Sequence, residues 1–504
     1  MNAQRLPAPA TAAGRPSLAV TRLAHWLSGT YAGRVTAVSV AGLAGRLALI
    51  GYQPLWRDEA FTALTTSRPL GSMLGVVRAD SAPPLAYVLE RGIVAVWPGT
   101  AGLRLLPAVA GAAAIPIGAA LGRRVAGDRG GVFTALVCAV TPALVLSAVD
   151  ARMYAVVTTL VMAATLTLWR AVERPTWQRW TVYGAVTATA LYTDYFALLA
   201  IPAQVIAVAF ILHAGWRRTA LTAGVAAAAC ASLLPWLAVA AAQFGHAGEP
   251  FWVPPIDFTS VSGAFVQFFG GPPIEPWIPW KPVMVVFQGF AVRAGILMIF
   301  ALVARRLALT YEGRRAALFC AVCGIGAALL LFPLSIWHPL VDGRYAGVVW
   351  GPAYAVLGGG LAVAPLRRAL TVGLAVVLSS TLVSALLPTR PDIASAVAAL
   401  RAQAGPNDLV DAYPSEYLLL LAEAPPQLLS RTAVVQPSVQ WYWGTAVYPP
   451  GAILHSLPER VTAAGGAVHV VMQPNESPPA FSNGYTARGK RCWTGVCVVT
   501  YRRG

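Results

Sequence analysis

Residues 51–64 read GYQPLWRDEAFTAL, and the acidic pair Asp58-Glu59 in this stretch stands where a long apolar run, near 35–53, has just ended. A helix needs roughly 20 residues to cross a hydrocarbon core of about 30 Å. Apolar runs of about that length recur along the chain near 35–53, 103–121, 130–149, 153–169, 180–194, 195–214, 219–241, 283–304, 316–337, 345–366 and 369–389, about eleven in all. With 57% of its 504 residues hydrophobic and only 11% charged, the chain is far from the balance of a soluble domain. The expected fold class is an all-α polytopic membrane protein over residues 35–389, with a small α/β domain over 390–504. Residues 1–34 contain Arg but no short apolar core followed by a cleavage site, so they are expected to remain as a cytoplasmic tail.

The net charge of +17 does not point to nucleic acid, because the basic residues fall in short clusters between apolar runs and form no stripe. Cytoplasmic loops hold the Lys/Arg excess of a membrane protein. With the N-terminus inside, every second connection is basic: Arg123, Arg124 and Arg129; Arg170, Arg174 and Arg179; Arg217 and Arg218; Arg305, Arg306, Arg314 and Arg315; Arg367 and Arg368. Residues 84–98, PLAYVLERGIVAVWP, are too short and too charged for a span, and counting them as one would turn the later Arg pairs outward, so an interfacial helix is expected. This parity gathers the remaining polar motifs on the outer face: WRDEAF, RADSAPPL at 78–85, Arg104, VDARMY at 149–154, YTDY at 192–195 and HPLVDGRY at 338–345. Ionisable groups at helix ends are costly unless they line a cavity or pair with one another, so their convergence marks a candidate site.

In order and motif these segments resemble the polytopic glycosyltransferases of the GT-C superfamily, most closely the protein mannosyltransferase and aminoarabinose transferase branch, which uses polyprenyl-phosphate sugars. The resemblance covers about residues 35–366: the D-E pair after the first span, P-P-L at 83–85, LRLLPAVAGAAAIPIGAALGRRVAG at 103–127, DARMYA at 150–155, LYTDYFALL at 191–199 and DGRYAGVVWGP at 342–352. Three positions depart from it: Ala82 stands where relatives carry a polar residue, Asp150 where they carry Glu, and Asp194 where they often carry His.

Sugar transfer from a lipid phosphate is displacement at the anomeric carbon. The phosphate leaves as a stable anion, so one base that takes the acceptor's proton suffices. The resemblance implies that Asp58 is that base, that the reaction inverts the anomeric centre, and that Glu59 orients Asp58 or an arginine. Arg344, then Arg104 and Arg152, are the expected donors to the leaving phosphate, since arginine offers a permanently charged fork. Structural ion pairs with Asp150 or Asp80 are the competing reading for Arg104 and Arg152. Asp80, Asp150, Tyr154, Asp194, His338, Asp342 and Tyr345 are expected to line the substrate cavity. Arg46, inside the first span, is expected behind the phosphate, whereas Arg293 has no assigned place. Trp252, Trp277 and Trp280, in the Pro- and Gly-rich loop 242–282, read as an interfacial belt or a cover. Asp58, Asp150, Asp194, Asp342 and His338 could supply ligands to a divalent metal, but no H-E-x-x-H or D-x-D spacing is present and the resemblance implies a branch that needs none, so no cofactor is expected.

The expected function is transfer of a sugar, mannose first, from a polyprenyl-phosphate donor to an envelope glycan, lipid or protein outside a bacterial plasma membrane. A flippase of lipid-linked sugars is the alternative, but transporters commonly show internal repeats and no convincing one is found. Beyond Pro391 the pattern reads helix, strand, helix and further strands, AVVQP, AVHVVMQ and CVVTYR. Cys492 and Cys497 bracket WTGV, a hairpin turn that a disulfide fits in an oxidising compartment. Cys320 and Cys323 lie in an apolar span and read as helix positions.

Overall fold

A computed structural model describes residues 29–241, 310–363, 367–481 and 484–504, with positions 243, 245, 252–257, 267, 278, 280–290 and 292 between them. Most of the N-terminal tail, Trp277, Arg293, Arg305, Arg306 and the second half of the 283–304 span lie outside the described residues.

Where they are described, the apolar runs are mainly helical. Among the described residues four are long and apolar enough to cross a membrane, Leu105–Val140, Tyr154–Glu173, Trp216–Val239 and Tyr311–Leu334, and the pair Gly343–Trp350 and Ala353–Val363, bent by 67°, forms a fifth if it is one span. The other expected spans are shorter, broken, less apolar or partly outside the described residues. Helix Leu105–Val140 holds two of them, joined across Ala126 and Gly127, whose backbone leaves the helical region. The run expected at 130–149 stops at Val140, and a separate helix, Pro142–Ala148, begins with proline in its first turn. Proline has no N–H to give to the carbonyl four residues back, here Cys138. Arg46, buried in helix Tyr31–Leu49, supplies a donor instead: Nη2 to the Cys138 carbonyl at 3.1 Å and Nη1 to Gly42 at 3.0 Å. The expected phosphate ligand thus ties the first helix to the break in its neighbour.

Small residues set the packing, as expected where lipid offers no hydrophobic drive and backbones gain from close approach. Helix Ala353–Val363 crosses Leu105–Val140 so closely that a Cβ on Gly358 would stand 2.1 Å from the Thr134 hydroxyl. Helix Leu85–Val96 has 12 residues. At 1.5 Å per residue that is about 18 Å, too short to span, as its charges imply.

The C-terminal segment is an α/β unit. Its six strands are β1 (Leu409–Ala412), β2 (Thr432–Val435), β3 (Ile453–Leu454), β4 (Val468–Met472), β5 (Tyr485–Trp493) and β6 (Val496–Arg503), in the order β3-β2-β1-β4-β6-β5. The β3-β2-β1-β4 part is parallel, and β6 and β5 add antiparallel to its edge. Every residue of β1 and β4 is buried, the signature of central strands covered on both faces. Cys492 and Cys497 are disulfide-bonded across the β5–β6 hairpin. Helix Pro414–Glu423 packs on helix Arg57–Thr66, so the unit sits against the D-E motif, where Gly444 meets Phe61 and Arg68 donates to the Val447 carbonyl at 2.8 Å.

Candidate active site

The apolar run ends at Leu49, and the chain turns through Pro54 before helix Arg57–Thr66 begins, with both acids in its first turn. Acids are favoured there by the helix dipole, and the Glu59 side chain also accepts from the Trp56 backbone N–H at 3.3 Å. The helix separates the two neighbours completely in environment. The Glu59 side chain is 0% exposed, whereas that of Asp58 is 33% exposed.

Glu59 is the centre of a buried knot. Arg104 donates Nε to Oε1 at 2.5 Å and Nη2 to Oε2 at 2.6 Å, Arg390 donates to Oε2, and the Ala151 backbone N–H donates to Oε1 at 2.8 Å. Burial alone would hold this carboxyl neutral, but the guanidinium groups of Arg390 and Arg104 outweigh it and keep Glu59 below the usual carboxylate range. Arg104 completes its bonding with the carbonyls of Ile50 and Gln53, both at 2.8 Å, and Pro54 at 3.0 Å. All five N–H groups of a guanidinium are thereby taken. Arg104, expected at the phosphate, is in this structure the peg that fixes the turn 50–54 and the acid beside Asp58; it has no N–H left for a ligand.

Among the described residues Asp58 has one ion-pair partner, Arg344. Arg344 Nη1 lies 3.3 Å from its Oδ2, and Arg344 Nε is 3.3 Å from Asp342 Oδ1. Asp342 also caps helix Gly343–Trp350 by accepting from the Arg344 backbone N–H at 2.8 Å, so one carboxylate aims both the helix and its arginine. The guanidinium lies over the rings of Trp252 at 4.5 Å and Trp56 at 5.7 Å. Its side chain is 31% exposed, and Nη2 has no hydrogen-bond partner among the described residues. Asp58 and Arg344 are therefore an accessible acid and an accessible cation side by side.

The remaining expected residues form the surroundings. Asp150 accepts from Trp56 Nε1 at 2.8 Å and lies 3.8 Å from Arg390. Arg152 donates to the Tyr87 hydroxyl at 3.3 Å, its buried Nε has no partner, and it is within electrostatic reach of Tyr154, Asp58 and Asp80. Asp194 is buried and caps the turn Tyr195–Leu199 by accepting from the Phe196 N–H at 2.8 Å, while Phe196 stacks on Tyr345 with ring centres 4.4 Å apart. Its role here is to position that ring. His338 is half-buried on the turn before Gly343–Trp350. Trp252 joins the site through Arg344, whereas Trp280 is 46% exposed. Among the described residues no three His, Cys, Asp or Glu side chains are grouped to hold a metal ion.

Sequence reading missed Arg390, Trp56 and Tyr87. Arg390 follows the last span on the face that the charge pattern leaves poor in basic residues, and that exception was the available signal. Trp56 and Tyr87 carried none, since aromatics at an interface are ordinary.

The family model described as dolichyl-phosphate-mannose-protein mannosyltransferase matches residues 81–240. That segment contains Tyr87, Arg104, Asp150, Arg152 and Asp194 but neither Asp58 nor Arg344. No curated protein gives a significant sequence match. Among solved structures, ArnT from Cupriavidus metallidurans in the apo state aligns at a TM-score of 0.60 and 13% identity, covering 96% of this chain and 98% of that one. The same protein bound to undecaprenyl phosphate aligns at 0.56 and 14%, covering 93% and 98%. The chain therefore has the GT-C fold of ArnT along nearly its whole length, the architecture its motif order resembles, with the mannosyltransferase match confined to residues 81–240.

Proposed function

We propose that this protein is an integral membrane glycosyltransferase that moves a sugar, mannose first, from a polyprenyl-phosphate donor to an envelope glycan, lipid or protein. Transfer takes place on the outer face of a bacterial plasma membrane and needs no metal or other cofactor. The observation that carries this reading is the Asp58–Arg344 pair, 3.3 Å apart and each about one-third exposed, in a molecule with the fold of a protein crystallised with undecaprenyl phosphate.

Asp58 accepts the proton of the acceptor hydroxyl as the oxygen attacks the anomeric carbon, and the sugar–phosphate bond breaks on the opposite side, inverting the centre. Arg344 and Arg152 neutralise the phosphate as charge develops on its oxygens. The Nη2 of Arg344, without a partner among the described residues, and the unpartnered Nε of Arg152 support that role, whereas the saturated Arg104 is left to structure. Glu59 holds the Asp58 helix in place through Arg104, Arg390 and Ala151. The polyprenyl chain stays in the bilayer.

The test is transfer of label from polyprenyl-phosphate mannose to a crude envelope acceptor in reconstituted membranes, with wild type compared with Asp58→Asn. A general base contributes about 10²–10⁴-fold, so the variant should lose at least a hundredfold while its unfolding midpoint holds. Full activity in Asp58→Asn would remove Asp58 as the base. Donor lipid crossing the bilayer without transfer would favour the flippase.

A further inference from the structure

At the ends of the helices away from Asp58 the surface opens into a cleft of about 610 Å³, lined among others by Trp169, His213, Trp216, Arg217, Arg218 and Arg315. Helix Trp216–Ser232 links the two faces: Arg217 and Arg218 lie in its first turn, and the chain beyond its other end reaches Gln243, whose amide donates to the Val77 carbonyl at 2.8 Å beside the outer site.

The backbone around this cleft is specially shaped. Residues Ala207–Ile211 form a π-helical turn, and His213 has φ of 45°, the single positive φ at a non-glycine among the described residues. Departures of both kinds cost free energy and gather at functional sites. They expose the carbonyls of Ile211 and Leu212, which Arg315 binds, through Nε to Ile211 at 3.1 Å and Nη2 to Leu212.

The arginines here also differ from those of the neighbouring hollow of about 300 Å³, which is lined by Tyr31, Arg123, Arg124 and Arg170. There Arg123 is paired with Asp128 at 2.7 Å and Arg124 with Glu173. In the larger cleft, among the described residues, Arg217 meets only the Trp216 ring at 5.7 Å, and Arg218 gives one N–H to the Val172 carbonyl at 3.0 Å. Of the two carboxylates in the lining, Glu173 is held by Arg124 and by Trp169 Nε1 at 2.6 Å, and Glu312 stands 3.8 Å from Arg315. Among the described residues the donors of Arg217 and most of those of Arg218 are thus unengaged, beside an apolar rim of Trp216, 76% exposed, Leu212 and Val172.

We propose that this cleft binds the phosphodiester head group of an anionic phospholipid, with Arg217 and Arg218 as donors to the phosphate and Trp216 against the acyl chains. A guanidinium fork matches phosphate geometry, and basic pockets between membrane helices suit such head groups. Free phosphate offers the same acceptor oxygens but leaves the apolar rim uncovered. The bound lipid would steady the segment Tyr195–Ile211 at one end, while at the other Phe196 stacks on Tyr345 in the outer site.

The experiment uses the full chain, delipidated in detergent, with native mass spectrometry and thermal unfolding as readouts. Phosphatidylglycerol, phosphatidylcholine and inorganic phosphate are added separately to wild type, to Arg217→Gln/Arg218→Gln and to Arg123→Gln. Phosphatidylglycerol should bind wild type and Arg123→Gln and raise their unfolding midpoints, and the double variant should bind it at least about tenfold more weakly, an effect of about 1.4 kcal/mol. Equal binding by the double variant, equal binding of phosphatidylcholine, or an equal loss in Arg123→Gln would overturn the proposal. Stabilisation by inorganic phosphate alone would overturn the lipid as its source. Should the double variant not fold, Arg217→Gln alone carries the test, because Arg217 makes no hydrogen bond to lose; it should weaken binding several-fold, and unchanged binding rejects the site.

Discussion

Helix Arg57–Thr66 and helix Pro414–Glu423 pack against each other, and each buries a glutamate completely, yet the two glutamates have opposite character. Glu59 lies among Arg104, Arg390 and two backbone N–H groups and is held as a carboxylate. Glu416 has the Ser415 hydroxyl as donor to Oε2 and no partner at Oε1, and burial, with Glu476 adding to it, pushes its pKa up to about 8. Burial sets how much the charge state matters, and the partners set which state is present. Asp58, one residue from Glu59, completes the contrast: it is half-buried and ion-paired with Arg344 at 3.3 Å, and its side chain is 33% exposed.

The largest effect on this comparison should come from Glu59→Gln. Removing one partner of a buried ion pair costs about 3–5 kcal/mol, and here Arg104 and Arg390 would both be left facing an amide. The variant should show a much lower unfolding midpoint and should lose transfer in proportion to folded protein. Lost transfer at an unchanged midpoint would instead place Glu59 in the chemistry. Asp58→Asn is the mirror image, with activity lost and folding kept.

Arg344→Lys should have a smaller effect. It retains the charge but loses the fork that spans Asp58 and Asp342. A charge-assisted hydrogen bond is worth about 1.5–3 kcal/mol, so turnover should fall about tenfold to a hundredfold, read as kcat in reconstituted membranes. A rise in the donor's KM at unchanged kcat would mean that Arg344 holds the ground state and the transition state equally.

The membrane class, the motif order and the gathering of the Asp58 and Arg344 motifs at one place were legible in the sequence because each rests on a local signal: apolar length, an acid at a run's end, an arginine in D-G-R-Y. The division of labour among the arginines was not. Arg104 and Arg344 look alike as single outer-face residues, and what separates them is five acceptors from residues 50–59, visible only once the chain turns back. Arg46 was misplaced for a related reason. Its charge suggested the site, but its partner is the Cys138 carbonyl freed by a proline 96 residues along the chain, at 142. Arg390 closes the knot from a contact with Glu59 separated by 331 residues. Hydrophobic periodicity reports which segments are buried and carries no information on such long-range polar partners.

The smallest effect should come from the second buried glutamate, and its sign separates the two. Glu59, with its folded pKa below the unfolded value, contributes stability that is present above the unfolded pKa of about 4.5 and is lost as the pH falls toward its folded pKa. Glu416 behaves in the reverse sense. Its folded pKa of about 8 lies above an ordinary value of 4.5, so the folded state holds a proton that the unfolded chain releases, and stability falls as the pH rises between those values. Glu416→Gln fixes the neutral form. The variant should match wild type near pH 5 and unfold at a higher temperature near pH 8, with the difference between the two midpoints growing steadily across that window. Buried Asp411, pushed up to about 7, changes both proteins alike and cancels in the difference. A constant offset at all pH values would show that Glu416 is already ionised in the fold, and the contrast with Glu59 would then rest on packing alone.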